Sequence, residues 1–123
     1  MTKRLRDKEK MRKANNEYRK RNPIKVKYAS KKATCKGKGI DFEISAEDFV
    51  DWYSAQPKTC HYCGREFKDK FDTKIDRKDA RGGYRPGNLV LACFMCNRLK
   101  SDIFTEEEWF EIVQKYNLVR RYK

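Results

Sequence analysis

The chain has 123 residues, 40% of them charged and 38% hydrophobic, so it can enclose only a small apolar core. That excludes a large multidomain architecture and favours a fold held by a metal or covalent staple. No apolar run approaches a membrane span or resembles a signal peptide, so a reducing cytoplasm is the expected setting and no membrane partner is expected.

The net charge of +13 is unevenly placed. Residues 1–38 hold sixteen Lys and Arg against Asp7, Glu9 and Glu17, whereas the remainder holds fifteen of each sign. Such a segment cannot bury enough apolar area to fold alone, and its self-repulsion calls for a polyanionic partner. Nucleic acid fits this better than an anionic membrane, because the segment lacks a bulky apolar face. Within it, Met11, Ala14 and Tyr18 recur at helical spacing over residues 4–21. Asn22-Pro23 then reads as a cap with proline in the first turn of a second basic helix, Ile24–Cys35, stopped by the glycines of CKGKGI.

Residues 39–123 read as a separate domain. IDFEIS alternates Ile40, Phe42 and Ile44 with acidic residues, predicting a half-buried strand. Ser45 and Asp48 form a capping signal for the helix AEDFVDWYSAQ, in which Phe49, Trp52 and Tyr53 are core candidates. Thr105 and Glu108 repeat that signal before EEEWFEIVQKYN, where Trp109, Ile112, Val113 and Tyr116 make an apolar stripe.

Between these helices lie two Cys-x-x-Cys knuckles, Cys60–Cys63 and Cys93–Cys96, separated by 29 residues. Four thiolates suit a closed tetrahedral zinc site that contributes folding energy and leaves no open position for catalysis. A redox reading of the two pairs would need a thioredoxin-like βαβ context that the sequence lacks. Cys35 lies outside this set and reads as a free thiol. The insertion between the knuckles predicts a strand at Thr73–Asp76, a turn-rich loop RKDARGGYRPGN, a strand at Leu89–Ala92, and a helix beginning at NRLKSD. This hairpin would bring Asp76 against Asn97, two hard oxygen ligands suited to one Mg²⁺ with open positions.

The stretch CHYCG…IDRKDARGGYRPGNLVLACFMCNRLKSD resembles the HNH (His-Me finger, ββα-metal) endonucleases over about Thr59–Phe104. The resemblance implies an α+β fold, a small zinc-stapled ββα-metal core with flanking helices and a basic N-terminal helical arm. It implies structural zinc on Cys60, Cys63, Cys93 and Cys96. It also implies a catalytic Mg²⁺, or another divalent ion, on Asp76 and Asn97, with Asn88 pinning the loop. In most members the residue after the Asp is a His that activates water. Here it is Arg77, whose guanidinium stays protonated at any working pH. Either the site is dead and a zinc-stapled DNA- or RNA-binding module remains, or Arg77 binds the scissile phosphate and another group assists the water. An Asp-Arg pair followed by Gly-Tyr and ACF-x-CNR-x-KS looks like certain rare-cutting ββα-metal restriction endonucleases, a likeness reaching Trp52-Tyr53 and Ile103-Phe104. Their additional N-terminal zinc knuckle is missing here, and the basic arm takes its place.

His61, the only histidine, is the natural base by chemistry, and the likeness to the restriction enzymes suggests Tyr62 and Tyr53 as rivals. The expected function is Mg²⁺-dependent hydrolysis of double-stranded DNA to 5′-phosphate and 3′-hydroxyl ends, of restriction or homing/phage type, in a bacterial or phage-infected cell. Cutting of both strands would imply a homodimer. Expected DNA contacts are Lys25, Lys27, Lys31 and Lys32 of the second basic helix, Arg81 and Arg85 of the loop, and Arg98 and Lys100 of the helix after the second knuckle. Removing residues 1–22 is expected to flatten the salt dependence of DNA binding; a log–log titration of affinity against salt checks this, with an unchanged slope counting against the arm.

Overall fold

The computed structural model describes residues 2–121. Helix α1 (Lys3–Arg21) leads into α2 (Pro23–Lys38) and α3 (Ala46–Ala55). A hairpin of β1 (Lys74–Arg77) and β2 (Leu89–Ala92) follows, then α4 (Phe94–Lys100), α5 (Glu106–Tyr116) and the short α6 (Leu118–Arg121). Among the described residues no helix is long and apolar enough to cross a membrane.

The two basic helices differ in what they bury. α1 has no buried residue, and its Met11 and Tyr18 are exposed, so their helical spacing marks no packed face. Asn22 closes α1 by donating its backbone N–H and its side-chain amide to the Tyr18 carbonyl, and Pro23 then starts α2. α2 runs past Gly37 and stops at Gly39, whose φ of 69° is the left-handed cap expected of glycine. Unlike α1, it is docked. Cys35 is 1% exposed among Phe49, Ile75, Leu89 and Leu91, and Tyr28 donates to the Ile44 carbonyl at 2.8 Å. The thiol read as free is thus a core residue.

The segment 40–44 does not form the expected strand. Its burial alternates as anticipated, yet it makes only one parallel bridge, Phe42 to Tyr84. Glu43 and Tyr84 donate to the Tyr84 and Asp41 carbonyls, respectively, and the backbone contact goes no further. This approach requires Gly83, because a Cβ there would lie 2.6 Å from the Asp41 carbonyl oxygen. The inward side chains, Phe42 and Ile44, pack on α2 and on Tyr84 instead of on a neighbouring strand.

The hairpin is the floor of the molecule. β1 and β2 pair antiparallel, with Ile75 opposite Leu91 and Asp76 opposite Val90. All four residues of β2 are buried, because both faces of the sheet are covered. Ile75, Leu89 and Leu91 face the cluster with Phe49 and Cys35, while Val90 and Ala92 join the cysteines, Met95, Trp109 and Val113. α5 is closed by a complete capping box between Thr105 and Glu108. It buries Trp109 and Val113, half-buries Ile112 and leaves Tyr116 exposed, so the stripe is shorter than its sequence suggests.

The four cysteines are buried, unbridged by disulfides, and their sulfurs lie within 4.8 Å of one another. A tetrahedral zinc with bonds of about 2.3 Å places sulfurs roughly 3.8 Å apart, so this cluster fits a structural metal such as zinc. In the first knuckle Gly64 turns at φ 76°, its N–H reaches the Cys60 carbonyl, and a bridge between Thr59 and Glu66 closes the loop. In the second, Cys93 caps α4, so the helix starts three residues before Asn97.

A buried ion pair joins the two knuckles. Arg65 contacts Asp72 at 2.9 Å with both side chains below 10% exposure, and Asp72 also accepts from the Lys68 and Phe94 amides. Burial works against the Asp72 carboxylate, but the Arg65 guanidinium and the two amides hold its pKa below the ordinary value. Asp72→Ala leaves a buried guanidinium unpaired and is expected to cost about 3–5 kcal/mol in urea melts of the zinc-loaded chain. Because the folded pKa is depressed, the Asp72 contribution is fully present above the unfolded value of 3.8. It fades as pH falls through the folded value, so the wild-type advantage over Asp72→Asn should shrink only in that acid window.

Candidate active site

A cleft of about 270 Å³ opens where the end of β1, the loop 78–88, α4 and α2 converge. Asp76 and Asn97 both line it, as the hairpin geometry predicted, with Arg77, Tyr84, Ser101 and Asp102 around them.

Asp76 ends up here because it sits at the third position of β1, on the sheet face turned toward the knuckles. It is 7% exposed. Its Oδ2 accepts a short hydrogen bond from the Tyr62 hydroxyl and lies 3.2 Å from Lys100 Nζ. Among the described residues Oδ1 has no hydrogen-bond partner, so one carboxylate oxygen is free for a cation. Burial raises the Asp76 pKa, and Tyr62 and Lys100 pull in the opposite direction. Asn97 is half-buried in the first turns of α4, where the second knuckle fixes the helix direction. A carboxylate oxygen and an amide oxygen converging on one cleft are a fitting donor set for a hard divalent cation.

Lys100 corrects an expectation. It was placed among the phosphate contacts, but its side chain has no exposed surface. Its ammonium is spent on Asp76 and on the Arg77 carbonyl at 3.1 Å. A signal for this lay in the helix spacing, because Lys100 follows the metal ligand Cys96 by four residues and so shares its inward face.

Arg77 is held rather than mobile. Its Nη1 donates to the Ala80 and Gly82 carbonyls, each at 2.9 Å, and Nη2 lies 3.4 Å from Asp102. Its guanidinium sits 5.3 Å from the Tyr84 ring centre. Burial pushes the Tyr84 phenol up to about 12. The loop that presents Arg77 is pinned by Asn88, which accepts from the Asp79 amide and donates to the Asp79 and Gly83 carbonyls.

The candidate bases are not brought together. His61 lies outside the cleft lining: its Nε2 is 2.9 Å from Glu106, and its ring packs edge-on against Tyr62 and Phe110. Tyr62 stands between His61 and Asp76, and burial together with the bond to Asp76 raises its pKa, so its hydroxyl stays protonated. Tyr53 packs in the apolar cluster with Phe49.

Of the proposed DNA contacts, Lys25, Lys32, Arg85 and Arg98 are exposed, and Arg81 is exposed but paired with Asp79. Lys27 is half-buried and donates to the Thr73 carbonyl at 2.6 Å. Lys31 lines the cleft itself, as does Lys38, which sequence reading did not single out. Asp102 and Tyr84 also belong to the cleft, through Arg77, and no sequence spacing announces that pairing.

Residues 60–102 match the family profile described as HNH endonuclease. A solved structure of the rare-cutting HNH restriction endonuclease PacI, described for its perturbation of DNA, superposes with a TM-score of 0.63. It is 27% identical and the match covers 76% of each chain. An uncharacterised protein of Acanthamoeba polyphaga mimivirus is 31% identical over 80 residues, which is 65% of this chain. The match spans only 14% of that viral protein's length. Profile, fold and the four-cysteine cluster agree in making the chain similar to the HNH endonucleases, with residues 60–102 as the matching segment and an arginine after the cleft aspartate.

Proposed function

We propose that the chain is a divalent-metal-dependent endonuclease that hydrolyses phosphodiester bonds in double-stranded DNA, leaving 5′-phosphate and 3′-hydroxyl ends. The observation that carries this reading is the joint placement of Asp76, Asn97 and Arg77 around one cleft in an HNH domain. PacI, which shares the fold, is by its own description a restriction endonuclease. A restriction, homing or phage role all use this chemistry.

Asp76 and Asn97 would hold the cation, Mg²⁺ by preference of the oxygen donors, which when bound supplies Lewis-acid stabilisation of the leaving oxygen. Each neighbouring side chain has a derivable task. Tyr62 and Lys100 fix the Asp76 carboxylate by gripping one oxygen and leaving the other open. Arg77, anchored to two loop carbonyls, presents its guanidinium to charge developing on the phosphoryl oxygens and cannot take a proton from water. Asn88 keeps the loop rigid so that this guanidinium is pre-positioned. With His61 turned to Glu106 and Tyr62 bonded to Asp76, deprotonation of the attacking water does not fall to either in this arrangement. The exposed lysines and arginines of α1 add salt-sensitive, sequence-independent affinity for the duplex.

Asp76→Ala is expected to lower Mg²⁺-dependent nicking of plasmid DNA by at least about 10³-fold while DNA affinity changes little. Undiminished cutting by this variant would overturn the assignment. Wild-type chain that cuts no DNA with any divalent ion at any pH would favour the binding-module reading. His61→Ala should leave the pH–rate profile unchanged; a lost limb would restore His61 as the base.

A further inference from the structure

The cleft holds more positive charge than its own residues neutralise, and α2 is the source. Lys31 Nζ lies 5.2 Å from the centre of the Tyr84 ring, and Arg77 Cζ lies 5.3 Å from the same centre. Two cations therefore share one aromatic ring at the edge of the metal site. Both carboxylates of the cleft already serve other cations, although Asp76 keeps Oδ1 open. Asp76 Oδ2 is gripped by Tyr62 and Lys100, and Asp102 is paired with Arg77. Setting Lys31, Lys38, Arg77 and Lys100 against Asp76 and Asp102 gives four positive charges to two negative, a surplus of two before any divalent ion is added.

This surplus is built in rather than incidental. Tyr28 and Cys35, three residues before and four after Lys31, anchor that face of α2 to the core by a hydrogen bond and by complete burial. The Lys31 backbone is thereby fixed beside the cleft. Burial lowers its pKa, and Arg77 adds to this while Cys35 and Asp76 act in the opposite direction. Cations gathered beside a carboxylate suited to hold a divalent ion make a site for an anion. Lys25 and Lys32 differ: both are exposed and neither lines the cleft.

We propose that Lys31, assisted by Lys38, binds the phosphodiester group that is cleaved, making α2 part of the catalytic cleft rather than a tether for flanking phosphates. This rests on the nuclease reading of the cleft and extends it by adding catalytic residues from outside the HNH domain. Lys31 contributes where Arg77 does, on the phosphoryl oxygens, while the exposed lysines of α2 contribute affinity alone.

The test uses the full zinc-loaded chain in two arms. In the first, single-turnover cleavage is measured at saturating duplex DNA. Lys31→Met keeps the stem over Tyr84 and should slow the step about 10²-fold or more with DNA affinity within a few-fold of wild type. Lys31→Arg should recover much of the rate, and Lys36→Met, exposed on the same helix and outside the cleft lining, should leave the rate within about twofold. Equal rates for Lys31→Met and wild type would overturn the proposal. The second arm needs no cleavage. Titration of the chain with the dinucleotide pTpT, followed by the NMR signals of the Lys31 and Arg77 side chains, should show saturable shifts that Lys31→Met and Lys38→Met abolish. If the wild-type chain cuts nothing yet pTpT binds in this way, the nuclease reading fails and the phosphodiester site stands. Absence of saturable shifts in the wild-type chain overturns the site itself.

Discussion

Everything that positions the cleft depends on four sulfurs held within 4.8 Å of one another. Among the described residues there are two small apolar clusters, one on each face of a two-stranded sheet, and neither is large enough to hold the hairpin alone. The cysteines tie a loop before the hairpin to the helix after it, so both strands are enclosed in one cross-link. Arg65 and Asp72 repeat that connection in ionic form, joining the first knuckle to the amide that opens α4. With those two ties in place, the end of β1 and the start of α4 have little freedom, and Asp76 and Asn97 reach the same cleft.

Electrostatics divides the basic first third into two parts that composition treats as one. α1 buries nothing and carries charge into solvent, as a long-range attractor does. α2 is nailed to the core by Tyr28 and Cys35, so its charges have fixed positions. A fixed cation can discriminate between states of a bound group, whereas a mobile one only raises local concentration. The sequence shows sixteen Lys and Arg in this region, but the distinction between the helices is a matter of which face meets the core.

Much of the fold was legible because its signals are local. Paired cysteines, the Thr105–Glu108 capping box, Pro23 at a helix start and the apolar run Leu89–Ala92 each report on a few consecutive residues. What eluded sequence reading depends on contacts between distant segments. The alternation at Ile40–Ile44 is real, but whether it becomes a strand depends on a partner, and Tyr84 offers one bridge only. Lys100 looked like a surface cation because lysine usually is one, and only its partner Asp76, 24 residues earlier, explains its burial. His61 has the right chemistry for a base, yet its neighbour in the chain faces the cleft while it faces Glu106. The two residues share the turn of the knuckle with their rings edge-on to each other, so their side chains alternate between Glu106 and Asp76.

That last alternation gives Tyr62 an unusual station. It lies between two metal-binding cysteines, and its hydroxyl is bonded to the carboxylate of the cleft. The path from the knuckle to the cleft carboxylate is therefore one residue and one hydrogen bond long. Oxidants that attack exposed or metal-bound thiolates would, by opening this knuckle, withdraw the tyrosine and loosen Asp76 along with it. An element whose task is to hold the fold is thus joined directly to the cleft carboxylate.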